Sequence, residues 1–160
     1  MAAAGLFLLR VTLAFVLVSH GGHILLGLGA GGGLGPGGID QAAARFAKAG
    51  LEPGHLVAGI IGLVQFVGGL LIGLGFMSRW ATLTTIAVQV MLIWKEQAQW
   101  GLYLNWTGDV TRGHGIEFSI LVIGALTCLF LTGAGEWSFD GRLEHSKARR
   151  AAGRARLRNR

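Results

Sequence analysis

HLVAGIIGLVQFVGGLLIGLGF, residues 55–76, has one strongly polar interior side chain, Gln65. A membrane-crossing helix needs roughly 20 mostly apolar residues, each rising about 1.5 Å, and this run supplies them. Working outward, three more apolar stretches follow the same reading. One runs from about Leu6 to Leu28 and is broken by Arg10, Ser19, His20 and His23. Another, from about Trp80 to Trp94, is diluted by Thr82, Thr84, Thr85 and Gln89. The last, from about Ile116 to Leu131, carries Glu117 near its start. The last two reach spanning length only by borrowing residues from the membrane interface.

Composition points the same way. Of the 160 residues, 52% are hydrophobic and 14% charged, whereas soluble domains carry about 25% charged residues. The net charge of +6 suggests nucleic acid only until the charges are located. After Gly141 the basic residues are Arg142, Lys147, Arg149, Arg150, Arg154, Arg156, Arg158 and Arg160, against the single acid Glu144. The basicity therefore belongs to a tail, with no folded basic module to read nucleic acid. The single cysteine, Cys128, forms no internal disulfide and says nothing about redox compartment. The first stretch has an early arginine like a signal peptide, but its apolar run is long and no clean small-x-small cleavage site follows, which favours a retained helix.

The glycine-dominated segment Gly27–Gly38 cannot hold a helix, because glycine loses the most backbone freedom on ordering. It lacks the Gly-Lys-Ser/Thr ending of a phosphate-binding loop and reads as a link. Beyond it, Asp40 is placed to cap a short helix that Gly50 ends, with Ile39, Ala43, Phe46 and Ala47 on one face. That pattern predicts an amphipathic helix at the membrane surface. Lys and Arg are retained near the cytoplasm, so the tail is expected inside. Four spans place the N-terminus and the Met77-Ser78-Arg79 turn inside as well. Segments 29–54 and 95–115, on the outer side, carry equal numbers of acids and bases. Trp80, Trp94, Trp100, Trp106 and Trp137 fall at or beyond the span ends, where an aromatic belt belongs. Gly69 and Gly73 form a small-xxx-small pair suited to close helix approach, within the chain or between copies.

The expected fold is all-α: an integral membrane four-helix bundle with both termini cytoplasmic and a short surface helix between spans one and two. Residues 1–141 form the membrane domain, and 142–160 the basic cytoplasmic tail, helical to about Leu157. The location that fits is the inner (plasma) membrane of a prokaryote.

Ionisable groups inside a span are costly unless paired or solvated, so each needs an account. Arg10 lies where it can snorkel to headgroups or form an ion pair. His20 and His23 share a helix face, roughly 15–20 Å along the helix from Arg10 and so near the outer surface. Glu117 enters the last span from the same side, with His114 three residues before it. Gln65 and Gln89 both lie near mid-membrane. His20, His23, Gln65, His114 and Glu117 are thus the candidate ligand-binding set. Three readings of it stay open: a quinone headgroup site in which His and carboxylate relay protons, metal or haem ligation by two histidines, and a hydrogen-bond network that merely fixes the bundle.

The order of these residues resembles the DoxX family of small membrane proteins. The matching pieces are Leu-Arg-Val (9–11), Ser-His-Gly (19–21), Phe-Ala-Lys-Ala-Gly-Leu (46–51), Gly-Gly-Leu-Leu-Ile-Gly-Leu-Gly-Phe-Met-Ser-Arg (68–79), His-Gly-Ile-Glu-Phe (114–118) and Thr-Gly-Ala-Gly-Glu-Trp-Ser-Phe-Asp-Gly (132–141). Where the family pattern has a lysine after Ser-His-Gly and an acid at the position of Gln65, this chain has His23-Ile24 and a neutral amide. The resemblance implies a quinone-linked membrane subunit, or an anchor gathering soluble redox enzymes. It carries over Arg10, His20, Arg79, Glu117 and Asp140 as motif residues. No flavin or nucleotide motif, cysteine cluster or nucleophile–base pair accompanies them, so no enzyme working alone is expected, no cofactor is required, and quinone is the one ligand implied. Membrane lipid and other subunits of a membrane complex are the expected partners. A purely structural accessory subunit is the alternative, and a small transporter without internal repeat or polar stripe fits less well.

Overall fold

The computed structural model describes residues 2–29, 37–109, 111–143 and 145–147. Among them all regular structure is helical: α1 (Ala2–Leu26), α2 (Ile39–Lys48), α3 (Gly54–Leu74), α4 (Ser78–Leu92) and α5 (Glu117–Thr132). Beyond Leu92, α4 widens into a π-helical turn over Ile93–Gln97 and tightens into a 3-10 turn over Ala98–Trp100. Most of the expected basic tail lies outside the described residues, although a helical turn over 139–143 crosses the expected boundary at Gly141.

Two helices, α1 and α3, are long and apolar enough to cross a membrane, and α5 is a shorter apolar helix. Large apolar side chains such as Phe15, Leu63, Leu121 and Leu131 face outward, as they do where the surroundings are lipid rather than water. The weaker hydropathy of α4 has a local cause. Its polar residues Thr82, Thr85 and Gln89 point inward and are buried, while Trp80, Leu83 and Val90 are exposed. Thr82 and Thr85 donate their hydroxyls to the carbonyls of Ser78 (2.9 Å) and Ala81 (2.8 Å), so they cost little inside.

The main packing contact runs between α1 and α3; α3 also meets α4, α4 meets α5, and α5 touches α1. Glycines make the first contact possible. A methyl group on Gly21 would lie 2.7 Å from the Gly62 carbonyl oxygen, and one on Gly69 or Gly73 would lie 2.9 Å from the Cβ of Leu17 or Ala14. The Gly69–Gly73 pair thus serves packing within the chain. Two apolar clusters result. Leu13, Leu17, Ile72, Val122, Leu126 and Leu129 fill the end nearer Arg10, and Ile24, Phe46, Ala58, Ile61 and Leu92 fill the other. Gln65, Gln89 and Ser119 are buried among these helices.

The amphipathic helix α2 forms as expected, but its apolar face turns into the protein. Phe46 is fully buried with Ala58, Ile61 and Leu92. Asp40 does not cap the helix, which starts one residue earlier at Ile39 with Gly38 as its cap. The carboxylate instead meets His55 Nε2 at 3.1 Å on the surface. Gly50, at φ +76°, does end it, and the Leu51 N–H donates back to the Phe46 carbonyl. Trp80, Trp94, Trp106 and Trp137 are exposed, but Trp100 is turned inward over Gly113.

The glycine contact predicts that Gly21→Ala lowers unfolding stability in mild detergent by about 1–3 kcal/mol, through overpacking against α3. Gly124→Ala on α5, where a methyl group meets nothing within 4 Å, is expected to be neutral or slightly stabilising in the same thermal melt.

Candidate functional site

At the histidine end, a cavity of about 570 Å³ opens between the last turns of α1, the middle of α3, the end of α4 and the start of α5. Helical spacing brings His20 and His23 of α1 to it, and Gln65 and Gln89 enter from α3 and α4. The return loop 101–116 supplies His114, and α5 supplies Phe118 and Ser119. Four of the five predicted ligand-binding residues, His20, His23, Gln65 and His114, therefore line one space.

Glu117 does not. Its carboxylate turns back under the loop and accepts the Leu104 N–H at 3.1 Å. The Glu117 N–H in turn donates to the Leu102 carbonyl at 2.9 Å. A carboxylate in the first turn of a helix reaches the unpaired N–H groups nearest it, and here these belong to the returning chain. The expected His–Glu pair is replaced by a loop anchor.

The remaining histidines and amides of the cavity offer hydrogen-bonding groups. His23 Nδ1 lies 3.0 Å from the Leu28 carbonyl; a carbonyl only accepts, so Nδ1 carries a proton there. His114 is the reverse: Nδ1 accepts the Asn105 N–H at 3.3 Å, which leaves Nε2–H as a donor. His20 leans on the Phe118 ring, 6.1 Å between centroids. Gln65 is 5% exposed, yet its Oε1 has no hydrogen-bond partner, and neither does that of Gln97 on the π turn. An unpaired buried amide oxygen costs about 1–3 kcal/mol, and two such oxygens lie beside this one cavity.

Arg45, Glu96, Gln97, Trp100 and Ser119 also line the cavity and were not anticipated. Arg45 Nε and Glu96 Oε1 form an ion pair at 2.9 Å that ties α2 to the π turn. The equal charge counts of segments 29–54 and 95–115 were the available signal. A π turn has no periodic signature, so the inward aim of Gln97 had none.

The motif residues Arg10 and Asp140 lie at the opposite end and do structural work. Arg10 neither snorkels nor makes a direct ion pair. It is 1% exposed and donates from Nη1 to the Ala134 carbonyl (2.9 Å) and from Nη2 to the Trp137 carbonyl (2.7 Å). Gly75, at φ +67°, leaves room for that guanidinium, which a Cβ there would strike. Asp140 accepts the N–H groups of Met77 and Ser78, each at 3.0 Å, and the Ser78 hydroxyl, binding the segment after α5 to the α3–α4 turn. Arg79 is exposed beside them. Burial pushes the Asp140 carboxyl up, but the Ser78 hydroxyl, the N–H groups of Ser78 and Met77 and the Arg10 charge together hold it below the usual carboxylate range.

A fold that is all-helical among the described residues, with large apolar side chains on its exterior and two helices long and apolar enough to cross a bilayer, is that of a membrane protein. More particularly, this chain belongs to the DoxX family, whose model matches residues 5–96, more than half of its length. The match includes His20, His23, Gln65, Arg10 and Arg79; His114, Glu117 and Asp140 lie beyond it. No curated protein and no solved structure matches the chain. Among the described residues no three His, Cys, Asp or Glu side chains gather into a metal-holding group.

Asp140 sets a pH test. A carboxyl depressed in the folded state contributes stability that is present above its unfolded pKa and lost as pH falls through the folded value. Melts of the wild type in detergent are expected to weaken below about pH 4. Asp140→Asn is expected to lose about 1 kcal/mol at neutral pH and to show a flatter acid limb.

Proposed function

We propose that this chain is a membrane subunit or anchor of a redox assembly that binds a quinone or a similar lipid-soluble ligand in the cavity at its histidine end. The observation that carries this reading is the buried, partnerless Gln65 amide in a cavity of about 570 Å³, within the range of small-molecule sites. The residues present fit a quinone headgroup. His114 Nε2–H and the amide N–H groups of Gln65 and Gln89 are donors for the carbonyl oxygens of a quinone, the unpaired Gln65 Oε1 can accept from the hydroxyl of its reduced quinol form, and the Phe118 ring and Leu92 supply apolar wall. A bound quinone would supply the electron- and proton-accepting chemistry that the side chains lack. The chain's part is to bind and orient the headgroup and to hold protons at His20 and His114. Electrons come from a partner subunit.

Four spans with both termini cytoplasmic, in a prokaryotic inner membrane, fit this role. Helical structure continuing from Ser78 to Trp100 extends for on the order of 33 Å, and the basic residues after Gly141 favour the inside for that end. The cavity then faces the outer half of the bilayer. A purely structural accessory role draws support from one observation: Arg10, Asp140 and Glu117 all bond backbone groups rather than a ligand site.

Gln65→Leu separates the two readings. With ubiquinone titrated into detergent-solubilised protein, the variant is expected to bind about tenfold more weakly, by loss of one buried hydrogen bond. Without ligand it should melt higher, by about 1 kcal/mol, since an unpaired amide oxygen has been removed. Equal quinone affinity in wild type and variant would leave the chain a scaffold.

A further inference from the structure

A second cavity, about 580 Å³, lies at the Arg10 end between the start of α4, the end of α5 and the segment that follows it. The basic side chains of Arg79, His145 and Lys147 line it. Among the described residues two acids share the wall. The Asp140 carboxylate is already occupied by the Met77 and Ser78 donors, with the Arg10 charge acting on it. Glu136 is exposed at the rim. Arg79 and Lys147 thus face one acid that is not already engaged, and the space favours an anion.

This cavity does not end in water on every side. Met77 and Trp80 also line an apolar groove of about 290 Å³, which continues between α3 and α4 past Leu71, Val67 and Leu63. From Leu63 to Leu71 the groove follows α3 for about 12 Å. Trp80, 66% exposed, stands at the junction, where an amphipathic ring separates a polar from an apolar zone. A basic pocket opening directly into an apolar groove on the lipid-facing side of two helices matches an amphiphile with an anionic head and a hydrocarbon tail.

We propose that the pocket and groove together bind one anionic phospholipid, its phosphate held by Arg79 and Lys147 and one acyl chain laid along Val67 and Leu71. This rests on the chain's membrane placement and is independent of what fills the histidine-end cavity. The bound lipid bridges α3, α4 and the segment after α5.

The test is native mass spectrometry of the full chain released from mild detergent, with dioleoylphosphatidylglycerol or dioleoylphosphatidylcholine added at equal concentration. The phosphatidylglycerol adduct is expected to exceed the phosphatidylcholine adduct by about tenfold. The double variant Arg79→Gln, Lys147→Gln should reduce that preference to about twofold or less. Val67→Trp, which fills the groove from α3, and Thr84→Trp, which fills it from α4, should each remove most phosphatidylglycerol retention, with helical content checked by circular dichroism. Equal retention of the two lipids overturns the proposal. So does undiminished phosphatidylglycerol binding by both groove variants, which would assign it to the basic tail. Displacement of the lipid by millimolar inorganic phosphate would show a site for free anions, and also overturns it.

Discussion

The near-contact of α1 and α3 decides where everything else can go. Lipid gives two apolar helices no hydrophobic reason to associate, so close packing and complementary shape must supply the attraction. Gly21, Gly62 and Gly69 remove the side chains that would hold the two backbones apart. With the helices pressed together, His20 and His23 reach the same space as Gln65, and Arg10 reaches past Gly75 toward the segment after α5. A wider separation would turn both polar clusters toward lipid, where their groups would go unpaired.

The two ends of the molecule handle polarity in opposite ways. At the Arg10 end the polar groups are largely matched to backbone: the guanidinium to two carbonyls, the Asp140 carboxylate to two N–H groups and a hydroxyl. That arrangement stabilises the join between the α3–α4 turn and the segment after α5. At the histidine end the amide oxygens of Gln65 and Gln97 stay unmatched, and the loop holds itself together through Asn105, which donates to the carbonyls of Asp109 and Arg112 at 2.7 Å each. The Arg10 end holds its guanidinium and the Asp140 carboxylate mainly on the protein's own groups, with Arg10 Nε unpartnered and a basic cavity alongside, whereas the histidine end leaves amide oxygens unmatched beside its space.

Much of this was legible in the sequence because period and punctuation are local. The apolar run of α3, the glycine after α2 and the existence of one apolar face on α2 follow from residue order alone. So does the meeting of His20, His23, Gln65 and His114, since span direction fixes depth. What stayed hidden depended on contacts between distant segments. Glu117 looked like a partner for histidine until the return loop offered it a nearer N–H group. Arg10 looked like a snorkelling cation or half of an ion pair because its acceptors are carbonyls, which every residue carries and no residue type announces. Phe46 pointed to lipid when α2 was read by itself, and inward once α3 lay beneath it. Trp100 was grouped with the exposed tryptophans because nothing in its neighbours shows which way a 3-10 turn will face.

The two carbonyls that receive Arg10 lie 124 and 127 positions further along the chain. During synthesis the first helix therefore enters the bilayer with a guanidinium whose partners do not yet exist. Until residues 134–137 emerge and fold back, that charge must be shielded by water, headgroups or the insertion machinery. The hydrogen bonding of the first helix is thus completed only once the segment after α5 is in place. A product stalled before α5 would leave that guanidinium without either of these carbonyls.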